Sequence, residues 1–241
     1  MDETLPKSDY NFDNLVNVRL KGKEFEYVED GVTTSIKGID VSQYQGDIDW
    51  EKVADDGVKF VFIRAGYRGY GTGKLVQDSK FEDNIIGALK NGIAVGVYFV
   101  PQSISVEEAI EEADFVLDMI KPYNVTWPIV LDLENAGTAT SPARTADLTA
   151  EERTTYVLAF CDRIKEFGYL PMLYSNIGWY MDRLELSRLT LVDKWFAQYF
   201  NRPFFPYEFT VWQYTDSGSV DGIKGNVDFD ISFKDYGEGE N

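Results

Sequence analysis

The sequence predicts a single α/β barrel on three observations. From Lys37 onward, short apolar runs alternate with helical patterns of about 10–15 residues, as in βαβ units wound into a parallel sheet. The 241 residues, 44% of them hydrophobic, suffice for one sizeable core, and a single barrel of this length is ordinary. After Tyr174 the intervening helices shorten or vanish, so the last part of the barrel is expected to be irregular.

In chain order, residues 1–36 are read as an N-terminal extension and 37–241 as the barrel. The extension is polar, with a few alternating apolar residues around Phe25 and Tyr27-Val28. It is expected to pair as a short hairpin or to lie over the main domain. Candidate strands are Gly38–Val41, Lys59–Arg64, Ala94–Val100, Pro128–Leu133, Leu170–Tyr174, Lys194–Gln198, Thr210–Tyr214 and Gly225–Phe229. The helix Trp50–Asp56 follows Asp47 and Asp49, which suit capping. Lys80–Asn91 closes before Gly92, and Ser105–Ile120 opens with a cap and the acidic first turn Glu107-Glu108. Thr149–Phe167 opens in the same way and stops at Gly168. Eight strands with helices between the early ones is the pattern of a barrel. Gly66–Gly73 lacks the ending of a phosphate loop and reads as a flexible rim loop.

Composition narrows the chemistry. The net charge of −18, from 41 acidic against 23 basic residues, argues against nucleic acid as a partner. No histidine occurs, which removes Ser-His-Asp and Cys-His catalysis and the usual zinc sites. Carboxylates, tyrosines and lysines remain. Cys161 stands alone in an apolar segment, so no disulfide framework exists and a buried thiol is expected. No apolar run approaches the roughly 18 residues of a membrane span. No secretory leader is legible at Met1-Asp2-Glu3-Thr4.

The segment Trp127-Pro128-Ile129-Val130-Leu131-Asp132-Leu133-Glu134-Asn135 is the most informative stretch. An apolar run ends in two carboxylates two residues apart. In a strand those residues share a face, with backbone positions roughly 6–7 Å apart. Close carboxylates repel, so one holds its proton near neutral pH and can act as a general acid. Function in such barrels sits at the C-terminal strand edge. The polar residues expected there include Asp40, Arg64, Tyr98 with Gln102, Tyr174 with Asn176, Gln198 with Tyr199, Gln213 and Asp228. First and last strands are neighbours in a barrel, so Asp40 and Asp228 should meet. Asp230 shares the face of Asp228, and Asp221 reads as a turn residue. The bland alternative is that Asp132 and Glu134 answer Arg64 as a charged pair. Four inward carboxylates against one arginine are costly unless used or neutralised. Tyr98, Tyr174 and Trp212 are read either as core packing or as sugar-stacking surfaces.

The residues from about Lys37 to Phe233 resemble glycoside hydrolase family 25, the Chalaropsis-type lysozymes. The resemblance rests on seven segments in order. They are Gly38-Ile39-Asp40-Val41-Ser42-Gln43-Tyr44-Gln45-Gly46, then Phe62-Ile63-Arg64-Ala65-Gly66-Tyr67, and Gly96-Val97-Tyr98-Phe99 through Gln102. The strand Pro128–Glu134 follows, then Leu173-Tyr174-Ser175-Asn176, Trp212-Gln213-Tyr214 and Gly225-Asn226-Val227-Asp228. The chain departs at Phe99-Val100-Pro101, where family members often carry a histidine or second aromatic.

This resemblance implies a modified TIM-like (β/α)5β3 barrel acting as an N-acetylmuramidase on peptidoglycan glycan strands, as a monomer. It needs neither metal nor organic cofactor and acts outside the cell or at the wall. Glu134 would be the proton donor, Asp132 would orient the substrate acetamido group or stabilise positive charge, and Asp40 with Asp228 would support them. Arg64, Tyr67, Tyr98, Gln102, Tyr174, Trp212 and Gln213 would line the groove. The rival readings are a chitin-type hydrolase of the same fold and a catalytically silent glycan-binding module.

Overall fold

The structure is a computed structural model that describes residues 2–20 and 22–237. Its centre is an eight-stranded barrel of β1 (Ile36–Val41), β2 (Phe60–Arg68), β3 (Ala94–Val100), β4 (Ile129–Asp132), β5 (Pro171–Asn176), β6 (Asp193–Ala197), β7 (Val211–Gly218) and β8 (Val227–Ser232). Five helices follow the first five strands: α1 (Trp50–Asp55), α2 (Phe81–Lys90), α3 (Val106–Ile120), α4 (Ala150–Glu166) and α5 (Ile177–Asp182). The ladder runs β1-β8-β7-β6-β5-β4-β3-β2 and closes by pairing β2 with β1. The expected (β/α)5β3 order is therefore the observed one.

Neighbouring strands are parallel from β1 through β7. β8 is antiparallel to both of its neighbours. Only residues 219–226 join β7 to β8, too few for the crossover a parallel return requires. The expectation that Asp228 ends the last strand is thereby corrected. It stands near the start of β8, and because β8 is inverted, that start lies at the same barrel edge as the ends of the other strands.

Alternation sorts each strand into an inner and an outer face. Phe60, Phe62, Val130, Met172 and Trp195 fill the barrel interior. Val61, Ile63, Leu131, Leu173 and Phe196 face outward in the larger core. Two inward glycines make room for the aromatics. A Cβ on Gly38 would stand 2.2 Å from the Phe60 ring, and one on Gly96 would stand 2.5 Å from Phe62. The helices are fixed by their caps: Ser105 accepts from the Glu108 N–H, and Thr149 with Glu152 forms a reciprocal capping box. Asp49 caps α1, but Asp47 does not; it pairs with Lys80 at 2.6 Å.

The N-terminal extension forms a three-stranded antiparallel sheet of Leu15–Asn17, Phe25–Glu29 and Val32–Thr33. It buries Phe25 and Tyr27, with Phe25 stacked on Trp212 at 5.5 Å and Tyr10 stacked on Phe233 at 4.3 Å. The outer faces of β7 and β8 have no helix of their own, and this sheet covers them. Gly66–Gly73 is not a loop throughout, because its first three residues are strand. β2 runs on to Arg68 and pairs antiparallel with Leu75–Gln77, and Arg68 is locked to Glu112 at 2.7 Å.

Candidate active site

The inward positions at the C-terminal barrel edge bring distant residues together. Asp40 ends β1, Arg64 lies in β2, Tyr98 in β3, Asp132 in β4, Tyr174 in β5, Gln213 in β7 and Asp228 in β8. Glu134 follows two residues after Asp132, and the segment between them stays tied to β5 because the Leu133 N–H donates to the Tyr174 carbonyl at 3.0 Å. These eight side chains line one open cleft of about 280 Å³. Asp40 and Asp228 face each other across the β1–β8 ladder.

A hydrogen-bond chain ties the cleft. Gln213 donates from Nε2 to Asp40 Oδ2 at 2.7 Å, while its Oε1 accepts from the Tyr174 hydroxyl at 2.8 Å and the Tyr199 hydroxyl at 2.9 Å. The Tyr174 hydroxyl also lies 3.3 Å from Glu134 Oε1. Trp195 is the floor. Its ring packs 4.4 Å from that of Tyr174, and its Nε1 donates to Asp230 Oδ1 at 2.8 Å. Asp230 is fully buried one inward step below Asp228, so it supports the floor and does not border the cleft.

Electrostatics hold protons here. Asp132 is 6% exposed. Burial, then repulsion from Glu134, pushes its carboxyl well above the ordinary range. Glu134 stands at the cleft rim and is also raised by desolvation, partly offset by the Tyr174 hydrogen bond. Asp40 is raised by burial and by Asp228. Asp228 is raised to about 6 by desolvation and by Asp216. Arg64 offsets the rise at Asp132 only in part, because its Nε is paired with the buried Asp78 at 2.7 Å. Among the described residues, none of the four carboxylates has a salt-bridge partner.

Three groove assignments need correction. Trp212 is 0% exposed and points outward into the N-terminal sheet, because alternation gives the inward position to Gln213. Gln102 is buried outside the cleft, its backbone N–H on Glu112 and its Oε1 on Thr145. Tyr67 is absent from the cleft wall. A bulge between Arg64 and Gly66 sets it opposite Val100, with the Arg64 guanidinium 5.9 Å from its ring. Tyr199, expected at this edge, lines the cleft, and Tyr44, Asp216 and Trp195 line it without having been singled out as site residues. The period of two did signal Tyr199, which follows the inward Ala197 by two residues. Tyr44 and Asp216 sit in loops, beyond the reach of strand alternation.

The family profile described as glycosyl hydrolases family 25 matches residues 39–223. The chain is 27% identical over 196 residues to the autolytic lysozyme of Clostridium acetobutylicum, covering 81% of this chain and 55% of that protein. It is 31% identical over 208 residues to the protein YegX of Escherichia coli strain K12, covering 82% and 69%. The modular autolysin LytC of Streptococcus pneumoniae superposes with a TM-score of 0.75 at 29% identity, over 90% of this chain and 52% of LytC. The chain thus spans about half the length of the lysozyme and of LytC.

Proposed function

This chain belongs to glycosyl hydrolases family 25, and from that membership we propose that it is a lysozyme of the N-acetylmuramidase type. It hydrolyses the β-1,4 bond between N-acetylmuramic acid and N-acetylglucosamine in bacterial peptidoglycan. The carrying observation is that four inward carboxylates meet at one barrel edge while the nearby arginine is held by Asp78. The name of the relative from Clostridium and the LytC structure solved with a synthetic peptidoglycan ligand support the substrate class. That substrate places the action outside the cell or at the wall.

Glycosidic cleavage needs a proton on the leaving oxygen and stabilisation of an oxocarbenium-like centre. Glu134, at the cleft rim, protonates that oxygen as the bond from C1 breaks. The acetamido oxygen of the muramyl sugar attacks C1, and Asp132 accepts a hydrogen bond from the acetamido N–H. Asp132 Oδ1 is buried with no donor among the described residues, which suits this duty. Water then opens the cyclic intermediate, its proton passing to the Glu134 carboxylate, and the product keeps the β configuration. Asp40 and Asp228 share charge behind the pair, and Gln213 fixes Asp40.

Turbidity loss of purified cell walls, with mass spectrometry of the fragments, tests the reading. Muramic acid at the new reducing ends is expected. Reducing ends of N-acetylglucosamine alone, with faster turnover of chitin oligomers, would favour the chitin-type hydrolase. NMR of the first-formed product tests the assisted route: an α-anomer rules it out.

A further inference from the structure

Glu134 is not only a wall of the cleft. Its other side borders a second cavity of about 260 Å³, also lined by Asn135, Thr145, Arg153, Trp179 and Arg183. Arg153 lies in the first turn of α4 and is 7% exposed. A cation there opposes the helix dipole. Its Nη2 donates only to the backbone carbonyls of Thr145 and Ala146, at 2.8 and 3.4 Å, and its Nε is buried without an acceptor. The neighbouring Glu152 is engaged in the capping box with Thr149. Arg183, exposed at the end of α5, enters none of the ion pairs among the described residues.

Two arginines thus line one cavity whose only carboxylate is Glu134, which pairs with neither of them among the described residues, in a chain where acidic residues outnumber basic ones 41 to 23. Burial and the charge of Arg183 both disfavour the Arg153 cation. The Arg153 guanidinium also lies 5.3 Å from the Trp179 ring, which fixes it over an apolar plane. A buried cation lacking its counter-charge is costly unless a ligand supplies one.

We propose that this cavity receives a carboxylate carried by the muramyl unit, with Arg153 and Arg183 as its counter-charges. This rests on the muramidase reading and deepens it, because the cavity adjoins the residue assigned as the acid. A sugar positioned at Glu134 would extend its substituent across that shared wall. The carboxylate has two sources: the free lactyl group of a denuded glycan, or an acidic residue of the peptide stem. A neutral chitin chain has neither, so the cavity gives a reason for preferring peptidoglycan. It also answers how so acidic a protein holds an anionic polymer, with the cationic charge concentrated beside the scissile bond.

The test is calorimetric binding to the full chain of three disaccharides of N-acetylglucosamine and N-acetylmuramic acid. One carries the free lactyl carboxylate, one the same group as its carboxamide, and one a dipeptide stem with its own carboxylate. Cleavage of denuded and stem-bearing strands is followed in parallel. At least one acid should bind about tenfold tighter than the neutral carboxamide, the size expected of a charge-assisted contact, and which acid does so identifies the source. Salt should erode that preference. In Arg183→Ala, an exposed position that does not threaten folding, the preference should collapse to about twofold or less, and Arg153→Gln should do the same if it folds. Acids and carboxamide binding within twofold in the wild-type chain, while the strands are still cleaved, overturns the inference alone. A chain that cleaves no glycan strand overturns the muramidase reading and this inference with it.

Discussion

Asp40 and Asp228 are cross-strand partners in the only stretch of the barrel where a strand is antiparallel to both neighbours. The inversion of β8 brings the start of the last strand to the rim that the other strands reach at their ends. Two acids separated by nearly the whole sequence thereby stand beside the Asp132 and Glu134 pair.

A first prediction follows from the proton that this packing holds. Asp228 is raised from 3.8 to about 6 in the folded protein. A raised carboxyl contributes stability that is complete below the unfolded value and is lost as pH rises through the folded value. The asparagine of Asp228→Asn has no such loss. Its Tm relative to the parent should therefore climb between pH 4 and 7, by about 3–6 °C for roughly 1–2 kcal/mol. Calorimetric scans at four pH values check this. A gap independent of pH contradicts it.

Arg64 yields a second. Asp78 is fully buried and holds the Arg64 guanidinium away from the acids. Asp78→Ala should cost about 3–5 kcal/mol, because a buried cation loses its partner. Freed, Arg64 should turn toward Asp132 and favour its ionised form. The acidic limb of the pH–rate profile, set by ionisation of Asp132, should then move to lower pH. Denaturant titration and a pH profile on cell walls measure the two effects. An unchanged limb would mean that Asp78 does not govern the charge of the cleft.

Packing gives a third. A methyl group on Gly38 would press against Phe60 inside the barrel. Gly38→Ala should destabilise by about 1–3 kcal/mol, and Phe60→Leu added to it should recover part of the loss. Urea unfolding of the single and double variants decides. Full additivity would show that the two positions do not touch.

These residues also show where the sequence is readable. Strands β1 to β5 and the caps at Ser105 and Thr149 follow from local signals, apolar alternation and acidic first turns, so their positions were legible within a few residues. Asp132, Glu134, Asp40 and Asp228 were legible as a group because strand ends of a barrel converge whatever their loops do. Trp212 was misread for a reason of the same kind. The Trp212-Gln213 pair has one inward and one outward member, and the outer face of β7 is apolar only because the N-terminal sheet covers it. Nothing local announces that cover. Gln102 and Tyr67 depend on a loop and a bulge, and Tyr44 and Asp216 on loops alone. The direction of β8 was hidden because the connection before it had to be recognised as too short for a crossover.

The most direct test of the central claim is single-turnover cleavage of purified peptidoglycan by Glu134→Gln beside the parent chain. Glutamine keeps the shape and removes the proton, so folding and glycan binding should persist while cleavage falls by about 10²–10⁴-fold, the usual worth of a general acid. Cleavage at the parental rate by the folded variant would contradict the assignment of Glu134 as the acid.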